Sequence, residues 1–160
     1  MIGNDIIDLE LSRKESNWKR KGFLEKIFSF QEQRLIHNAP NPELMVWNLW
    51  SRKEAAYKIY NRYTGIKGYF PSLLQCYYDD ENSGKVVLDD FVFYTQTQVM
   101  DNYIYSIAVS ETDLFSKIKS VEILQNIKKK NGIPYIIDAA NSIQPVSITH
   151  HGRFQKIISL

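Results

Sequence analysis

Two side chains of opposite charge, Glu54 and Lys58, lie four residues apart in the stretch 50–58, which reads WSRKEAAYK. The stretch belongs to a helix predicted from Asn41 to Tyr63, because asparagine caps helix starts well and a glycine follows the segment. Residues four apart lie on one face of a helix, so this acid and this base can reach the same bound molecule. The simpler alternative is an ion pair between them, which stabilises a helix by about 0.2–0.5 kcal/mol.

The predicted helix face that carries Glu54 and Lys58 is aromatic, which is unusual for a solvated surface. It also presents three aromatic rings and an amide: Trp47, Trp50, Tyr57 and Asn61. The other stripe is apolar at helical spacing and is predicted to pack into the core: Met45, Leu49, Ala56, Ile59, Tyr60 and Tyr63. An acid and a base framed by aromatic rings indicate a binding or catalytic surface.

A further carboxylate, Asp5, lies in the segment from Met1 to Leu9, whose apolar residues predict a short strand. Gly3 within that strand indicates the close approach of another backbone or of a ligand. A carboxylate in an apolar setting is costly unless it is paired or bound to a cation. The alternative is that Asp5 and Asp8 are solvent-facing turn residues.

Two other segments are suited to binding an anion. The loop 64–68 places Lys67 between two glycines, where backbone amides and an ammonium can hold a phosphate. The turn 150–153 reads HHGR and lies between two predicted strands. Zinc would require a third protein ligand, and the only other histidine is His37, so an anion contact is favoured for this turn.

The composition limits the classes of protein to consider. The 160 residues include 20 Lys and Arg and 18 Asp and Glu, a net charge of +2, which does not favour a general nucleic-acid binder. The single cysteine, Cys76, excludes an internal disulfide and a cysteine-rich zinc site. No apolar run approaches a membrane span and no secretory signal pattern opens the chain. We therefore expect one domain over residues 1–160 in the cytoplasm, with neither a membrane nor a nucleic-acid partner.

Helical patterns dominate the first half of the chain and strand patterns the second, which predicts an α+β fold with an antiparallel sheet packed against the long central helix. No internal repeat is apparent. Helices are expected within 11–37, with a capping box at Ser29 and Glu32 that starts the second of them. The predicted strands are 73–78, 91–99, 103–109, 121–127, 146–149 and 154–159, with a short helix at 113–118 and a basic loop at 128–132.

Three separated segments together resemble the 4′-phosphopantetheinyl transferases. GNDIID at 3–8 resembles the Gly-x-Asp motif of holo-acyl-carrier-protein synthases, and 50–58 matches the aromatic-x-x-Lys-Glu-Ala/Ser-x-x-Lys motif of the superfamily. The stretch 23–32 looks like the segment that the family carries between them. Nearer the C-terminus, 131–136 resembles a Gly-Lys-Pro segment and 147–154 a Ser-x-Ser/Thr-His segment. The resemblance is good over 1–68, moderate over 131–157 and loose over 69–130.

The resemblance implies transfer of the 4′-phosphopantetheine arm of coenzyme A to a serine of an apo acyl or peptidyl carrier protein, with release of 3′,5′-ADP. Asp5 and Glu54 match the family's metal-binding carboxylates, and magnesium prefers such hard oxygen ligands together with substrate phosphates. Glu54 is also the candidate for activating the carrier serine, directly or through a metal-bound water. Lys58 matches the lysine near the pyrophosphate and is expected to stabilise charge or protonate the leaving group.

The resemblance also implies contacts to coenzyme A outside the reacting centre. His150 resembles the histidine at the 3′-phosphate, with Arg153 assisting, while Lys67 is expected near a phosphate and Gly132 near the adenine. Ile133 stands where many members carry lysine, so one phosphate contact is expected to be absent or to come from the run Lys128–Lys130.

In the short type of this family one site is made by two subunits, and in the long type it is made by two homologous halves of one chain. This chain shows one copy of each motif and no repeat. The resemblance therefore implies a homo-oligomer, with a trimer favoured. Two alternatives remain at this point: a coenzyme A or nucleotide-binding module without catalysis, and an RNA-binding domain. The metal-binding pair Asp5 and Glu54 argues against the first, and the near-balanced charge argues against the second.

Overall fold

The computed structural model describes residues 1–122, 127–137 and 140–160. Its helices are α1 (Leu9–Glu15), α2 (Phe23–Ile27), α3 (Phe30–Asn38), α4 (Pro42–Thr64) and a 3₁₀ helix (Thr112–Lys117). The strands are β1 (Ile2–Asp8), β2 (Gln75–Tyr78), β3 (Ser83–Leu88), β4 (Phe91–Val99), β5 (Tyr103–Val109), β6 (Lys119–Ser120), β7 (Lys128–Lys130), β8 (Ile133–Ile137), β9 (Ile143–His151) and β10 (Phe154–Ser159).

The strands form two five-stranded antiparallel sheets. The N-terminal sheet has the order β1-β5-β4-β3-β2, and the C-terminal sheet has the order β6-β10-β9-β8-β7. Helix α4 packs against β1, β5 and β4 of the N-terminal sheet, and β9 packs against β1. The predicted α+β architecture with a long central helix is therefore confirmed, with a second sheet that the sequence did not indicate.

The central helix α4 begins and ends at the predicted signals. The side chain of Asn41 accepts a hydrogen bond from the amide of Leu44, and Gly65 ends the helix in the left-handed conformation. The helix is buried on more sides than its apolar stripe suggests, because Arg52 and Lys53 are both 0% exposed. The predicted stripe is only partly core, since Tyr63 is 50% exposed.

Strand β1 and helix α4 approach closely at Gly3. A Cβ added at Gly3 would overlap the carbonyl oxygen of Ala55, so this close contact requires glycine. The close approach predicted from Gly3 is thus observed, and the strand prediction for this segment is confirmed. Asp5 and Asp8 are 9% and 2% exposed, so the alternative that they are solvent-facing turn residues is wrong.

Helices α2, α3 and α4 are joined by a buried ion pair. The Nζ atom of Lys53 lies 2.7 Å from an Oε atom of Glu32 and also donates to the carbonyl oxygens of Ile27 and Pro71. Glu32 in turn completes the predicted capping box with Ser29. These bonds satisfy both buried charges and fix the helices around α4.

Several predictions in the second half are corrected. Strand β3 was not predicted, because charged and turn residues precede it and its apolar run is short. The expected basic loop 128–132 is strand β7 followed by a turn into β8. The 3₁₀ helix stands where a short helix was expected. The predicted strand 121–127 falls mostly on residues 123–126, which lie outside the described residues.

Candidate functional site

Asp5 and Lys58 meet where β1 faces the middle of α4. The Nζ atom of Lys58 lies 3.8 Å from Oδ1 of Asp5 and donates to the carbonyl oxygens of Asn4 at 2.6 Å and Ile148 at 3.2 Å. Oδ1 of Asp5 also accepts a 3.1 Å hydrogen bond from the hydroxyl of Thr149. Lys58 therefore bridges both sheets. The alternative of a Glu54–Lys58 ion pair is not observed within 4.0 Å in the described part of the chain.

The two carboxylates predicted to work together, Asp5 and Glu54, are both partly withdrawn from water, and the charge of Asp5 acts on Glu54. Burial raises the pKa of Asp5 to about 6, while Lys58 opposes the shift. Burial and the neighbouring Asp5 raise the pKa of Glu54 to about 7. Burial lowers the pKa of Lys58, against the pull of Asp5 and Glu54. Such displaced pKa values on converging groups are typical of functional sites.

The side chains of Asp5 and Glu54 are suited to binding a magnesium ion. Oδ2 of Asp5 is buried and has no hydrogen-bond partner among the described residues, which is a costly state for a carboxylate oxygen. Magnesium commonly takes one or two protein carboxylates and completes its shell with water and substrate phosphates. A cluster of three or more metal-ligating side chains is not found in the described ranges.

A cavity of about 390 Å³ opens beside Lys58 and is strongly basic. None of its described lining residues is acidic, and four of them carry basic side chains: Lys58, Arg62, Lys129 and His150. Gly132 and Ile133 line the same cavity, so three predicted contacts, Lys58, Gly132 and His150, converge there. The excess of positive charge makes this cavity suited to a molecule with several phosphates.

Two predicted phosphate contacts lie elsewhere. Lys67 is exposed and does not line the basic cavity. Arg153 donates to both carboxylate oxygens of Asp8 at 2.8 Å and lies 3.1 Å from Glu10. Arg153 is thus engaged by two carboxylates, and its assignment to coenzyme A binding stays a prediction.

Sequence reasoning missed three residues of the site. Arg62 lines the cavity while its guanidinium donates to the carbonyl oxygens of Ile2 and Val146. Lys129 was noted only as part of a basic run. Tyr69 packs against Trp50, and its hydroxyl is buried with no hydrogen-bond partner in the part of the chain that the structure describes. For Arg62 the available signal was its position one helical turn after Lys58.

Comparison with known proteins shows to which protein family the chain belongs. The family model of the 4′-phosphopantetheinyl transferase superfamily matches residues 1–108, and the chain belongs to this superfamily. The holo-[acyl-carrier-protein] synthase of Caldanaerobacter subterraneus is 30% identical over 87 residues, which cover 54% of this chain and 66% of that relative. The family resemblance read from the motifs is therefore confirmed, and the enzyme class of the family is that of phosphopantetheinyl transferases.

Solved structures show the same fold at low identity. The Helicobacter pylori holo-[acyl-carrier-protein] synthase in complex with coenzyme A matches with a TM-score of 0.54 and 17% identity, covering 69% of this chain and 100% of that one. The Thermotoga maritima enzyme matches with a TM-score of 0.52 and 15% identity, covering 78% of each chain. At these identities the likeness concerns the fold.

The extents of these matches change one expectation. The family match includes 69–108, which resembled the family only loosely, and ends before 131–157, which was expected to match moderately. The residues beyond the family match are therefore those of the C-terminal sheet and the segment that leads to it.

Across the described ranges, no helix is long and apolar enough to cross a membrane.

Proposed function

We propose that this chain transfers the 4′-phosphopantetheine arm of coenzyme A to a serine of an apo acyl or peptidyl carrier protein, with magnesium and with release of 3′,5′-ADP. The observation that carries the proposal is the meeting of Asp5, Glu54 and Lys58 at the edge of a basic cavity. The carboxylates are suited to magnesium and the cavity to phosphates. The proposal keeps the cytoplasmic location expected from the sequence.

The reaction requires a bond from the serine oxygen to the phosphorus that carries the pantetheine arm. The bond from this phosphorus to the oxygen of 3′,5′-ADP breaks, and the serine proton passes to a base. Glu54, which lies close enough to Asp5 and Lys58 for their charges to act on it, is the candidate to take that proton, directly or through a metal-bound water. Lys58 is held by the carbonyl oxygens of Asn4 and Ile148, so its ammonium is oriented to stabilise charge on the leaving phosphate.

Magnesium, when bound, would neutralise charge on the pyrophosphate and favour the ionised carboxylates. The residues that would hold it are Asp5 and Glu54. Thr149 orients Asp5 through its hydroxyl, and this leaves the second carboxylate oxygen free for a ligand. His150, Arg62 and Lys129 are proposed to contact coenzyme A phosphates in the cavity, and Lys67 and Arg153 are kept as candidates outside it.

The decisive experiment is intact-mass analysis of an apo carrier protein incubated with coenzyme A, magnesium and this protein. We expect the carrier to gain one phosphopantetheine arm. We expect Glu54→Gln to lower the rate at least about 100-fold, because removal of a general base or metal ligand has an effect of this size. Glu25→Gln is the matched control, since Glu25 is exposed and remote from the cavity.

Retention of the wild-type rate by Glu54→Gln would contradict the role of Glu54. Absence of transfer to several carrier proteins, combined with tight binding of coenzyme A by calorimetry, would favour the alternative of a non-catalytic coenzyme A-binding module. Absence of both transfer and binding would contradict the proposal as a whole.

A further inference from the structure

The two sheets repeat one strand order. Each strand of the C-terminal sheet has a counterpart at the same place in the N-terminal sheet, and the strand numbers of the two counterparts differ by five. The counterparts are β6 and β1, β10 and β5, β9 and β4, β8 and β3, and β7 and β2. The corresponding pairs are all antiparallel. A shared order over five strands in both connectivity and direction indicates a structural repeat, although no repeat was apparent in the sequence.

Local features support this correspondence. Strands β4 and β9 are both nine residues long, and each carries hydroxyl side chains at its fifth and seventh residues: Thr95 and Thr97 in β4, Ser147 and Thr149 in β9. A glycine also lies near the start of the third strand of each sheet in chain order: Gly84 is the second residue of β3, and Gly132 immediately precedes β8.

The two copies differ in one respect that matters for the site. In the N-terminal copy, residues 9–74 separate the first two strands and contain the four helices, including the one that carries Glu54 and Lys58. In the C-terminal copy only residues 121–127 separate the corresponding strands. The second copy therefore has the sheet without room for the helices, and it cannot form an acidic site of its own.

Strand β9 of the second copy packs against the free edge of β1. The backbone amides of Asn4 and Ile6 donate to the hydroxyls of Ser147 at 3.0 Å and Thr149 at 3.1 Å. The amide of Asp8 donates to Nδ1 of His151 at 2.8 Å. Side chains of β9 thus satisfy alternate amides of an edge strand that pairs with β5 on its other side.

The site has one wall from each copy. Residues within the family match supply Lys58 and Arg62 to the cavity, with Asp5 and Glu54 beside Lys58, and the C-terminal copy supplies Lys129, Gly132 and His150. The carbonyl oxygen of Ile148 and the hydroxyl of Thr149, both from β9, position Lys58 and Asp5. Without the C-terminal copy, the cavity would lack its second wall and the Asp5–Lys58 pair would lose two partners.

We propose that residues 119–160 are a helix-less second copy of the sheet that completes the site within one chain, so that a single chain carries one whole coenzyme A site. This replaces the expected trimer with intersubunit sites, because that expectation rested on one copy of each motif and on the absence of a repeat, whereas the strand order of the two sheets is repeated. The inference rests on the proposed function only for the identity of the ligand.

The first test co-expresses two differently tagged chains, Glu54→Gln and His150→Ala, which damage opposite walls, and purifies through both tags in sequence. Neither residue is in the hydrophobic core, so both variants are expected to fold. We expect no complex that carries both tags, a solution mass near 18.8 kDa, and transfer activity of the mixture no higher than the sum of the two variants. A doubly tagged complex with recovered activity would overturn the inference.

The second test does not depend on any activity. Hydrogen exchange of the monomeric wild-type fraction is expected to show slow exchange at the amides of Asn4 and Ile6. The double variant Ser147→Ala, Thr149→Val is expected to speed exchange at these two amides at least tenfold, whereas Thr95→Val at the equivalent place in β4 leaves them unchanged. Fast exchange at both amides in wild-type monomer would overturn the inference even if transfer is observed. Slow exchange in a protein that transfers nothing would support it while the proposed function fails.

Discussion

At the scale of single residues, the least expected feature is the burial of two consecutive cations in the motif 50–58. Arg52 and Lys53 are both 0% exposed, yet each is satisfied. The guanidinium of Arg52 donates to the hydroxyl of Thr97 and to the carbonyl oxygens of Asp80, Glu81 and Ser83. Charged groups are tolerated in a core when such bonds replace water, so this arginine is a structural element of the motif.

We predict that Arg52→Lys lowers the free energy of unfolding by about 2–4 kcal/mol, because one ammonium cannot replace a planar guanidinium with several directed bonds. Chemical denaturation monitored by circular dichroism measures this change. Arg34→Lys is the control, since Arg34 is exposed and is expected to change stability by less than ~0.5 kcal/mol. Equal effects of the two substitutions would contradict the structural role of Arg52.

At the scale of elements, strand alternation determines which lysine of the basic run reaches the site. Residues 128, 129 and 130 form β7, and successive side chains of a strand point to opposite faces. Accordingly Lys129 lines the basic cavity, whereas Lys128 and Lys130 do not. Ile133 lines the same cavity, so Lys129 on the facing strand is our candidate for the cation that many family members carry at the position of Ile133.

We predict that Lys129→Ala weakens coenzyme A binding about tenfold, because one phosphate contact is lost from the cavity. Lys130→Ala is the matched control from the same strand and is expected to change the dissociation constant by less than about twofold. Isothermal titration calorimetry at fixed salt distinguishes the two variants. A larger effect of Lys130→Ala would show that the alternation does not govern binding.

At the scale of the whole molecule, an ion pair joins the start of the chain to its end. The carboxylate of Asp8 caps α1 by accepting from the amides of Glu10 and Leu11, and it also accepts from the guanidinium and amide of Arg153. Hydrogen bonds from Arg153 hold the pKa of Asp8 well below its ordinary value. This contact fastens the β9–β10 hairpin to the N-terminal half of the chain.

We predict that Asp8→Asn destabilises the protein at neutral pH and that the difference from wild type shrinks in acid. A lowered pKa in the folded state contributes stability above the ordinary aspartate pKa of 3.8, and this contribution is lost as pH falls from there through the folded pKa. Asparagine caps helices as well as aspartate does, so the change keeps the cap while it removes the charge and one of the two oxygens that accept from Arg153. Denaturation curves from pH 7 to pH 2 test this; a difference that grows in acid would contradict it.

The sequence by itself determined the features that depend on near neighbours along the chain. The bounds of α4 follow from Asn41 and Gly65, and the capping box follows from Ser29 and Glu32. Gly3 indicated the close approach of a backbone or a ligand, whereas the sequence left open whether Asp5 is buried or solvent-facing. Order and spacing of the motifs were sufficient for the family, because these residues are held by one strand and one helix.

Only the tertiary structure decided which distant residues share the site. Arg153 was expected at a phosphate, but Asp8, 145 positions away in sequence, engages its guanidinium. Lys129 and Arg62 reach the cavity because two sheets meet there. The second sheet could not be predicted from its strands taken one at a time. Contacts across such separations depend on how whole sheets pack, and local hydrophobic periodicity carries no information about that packing.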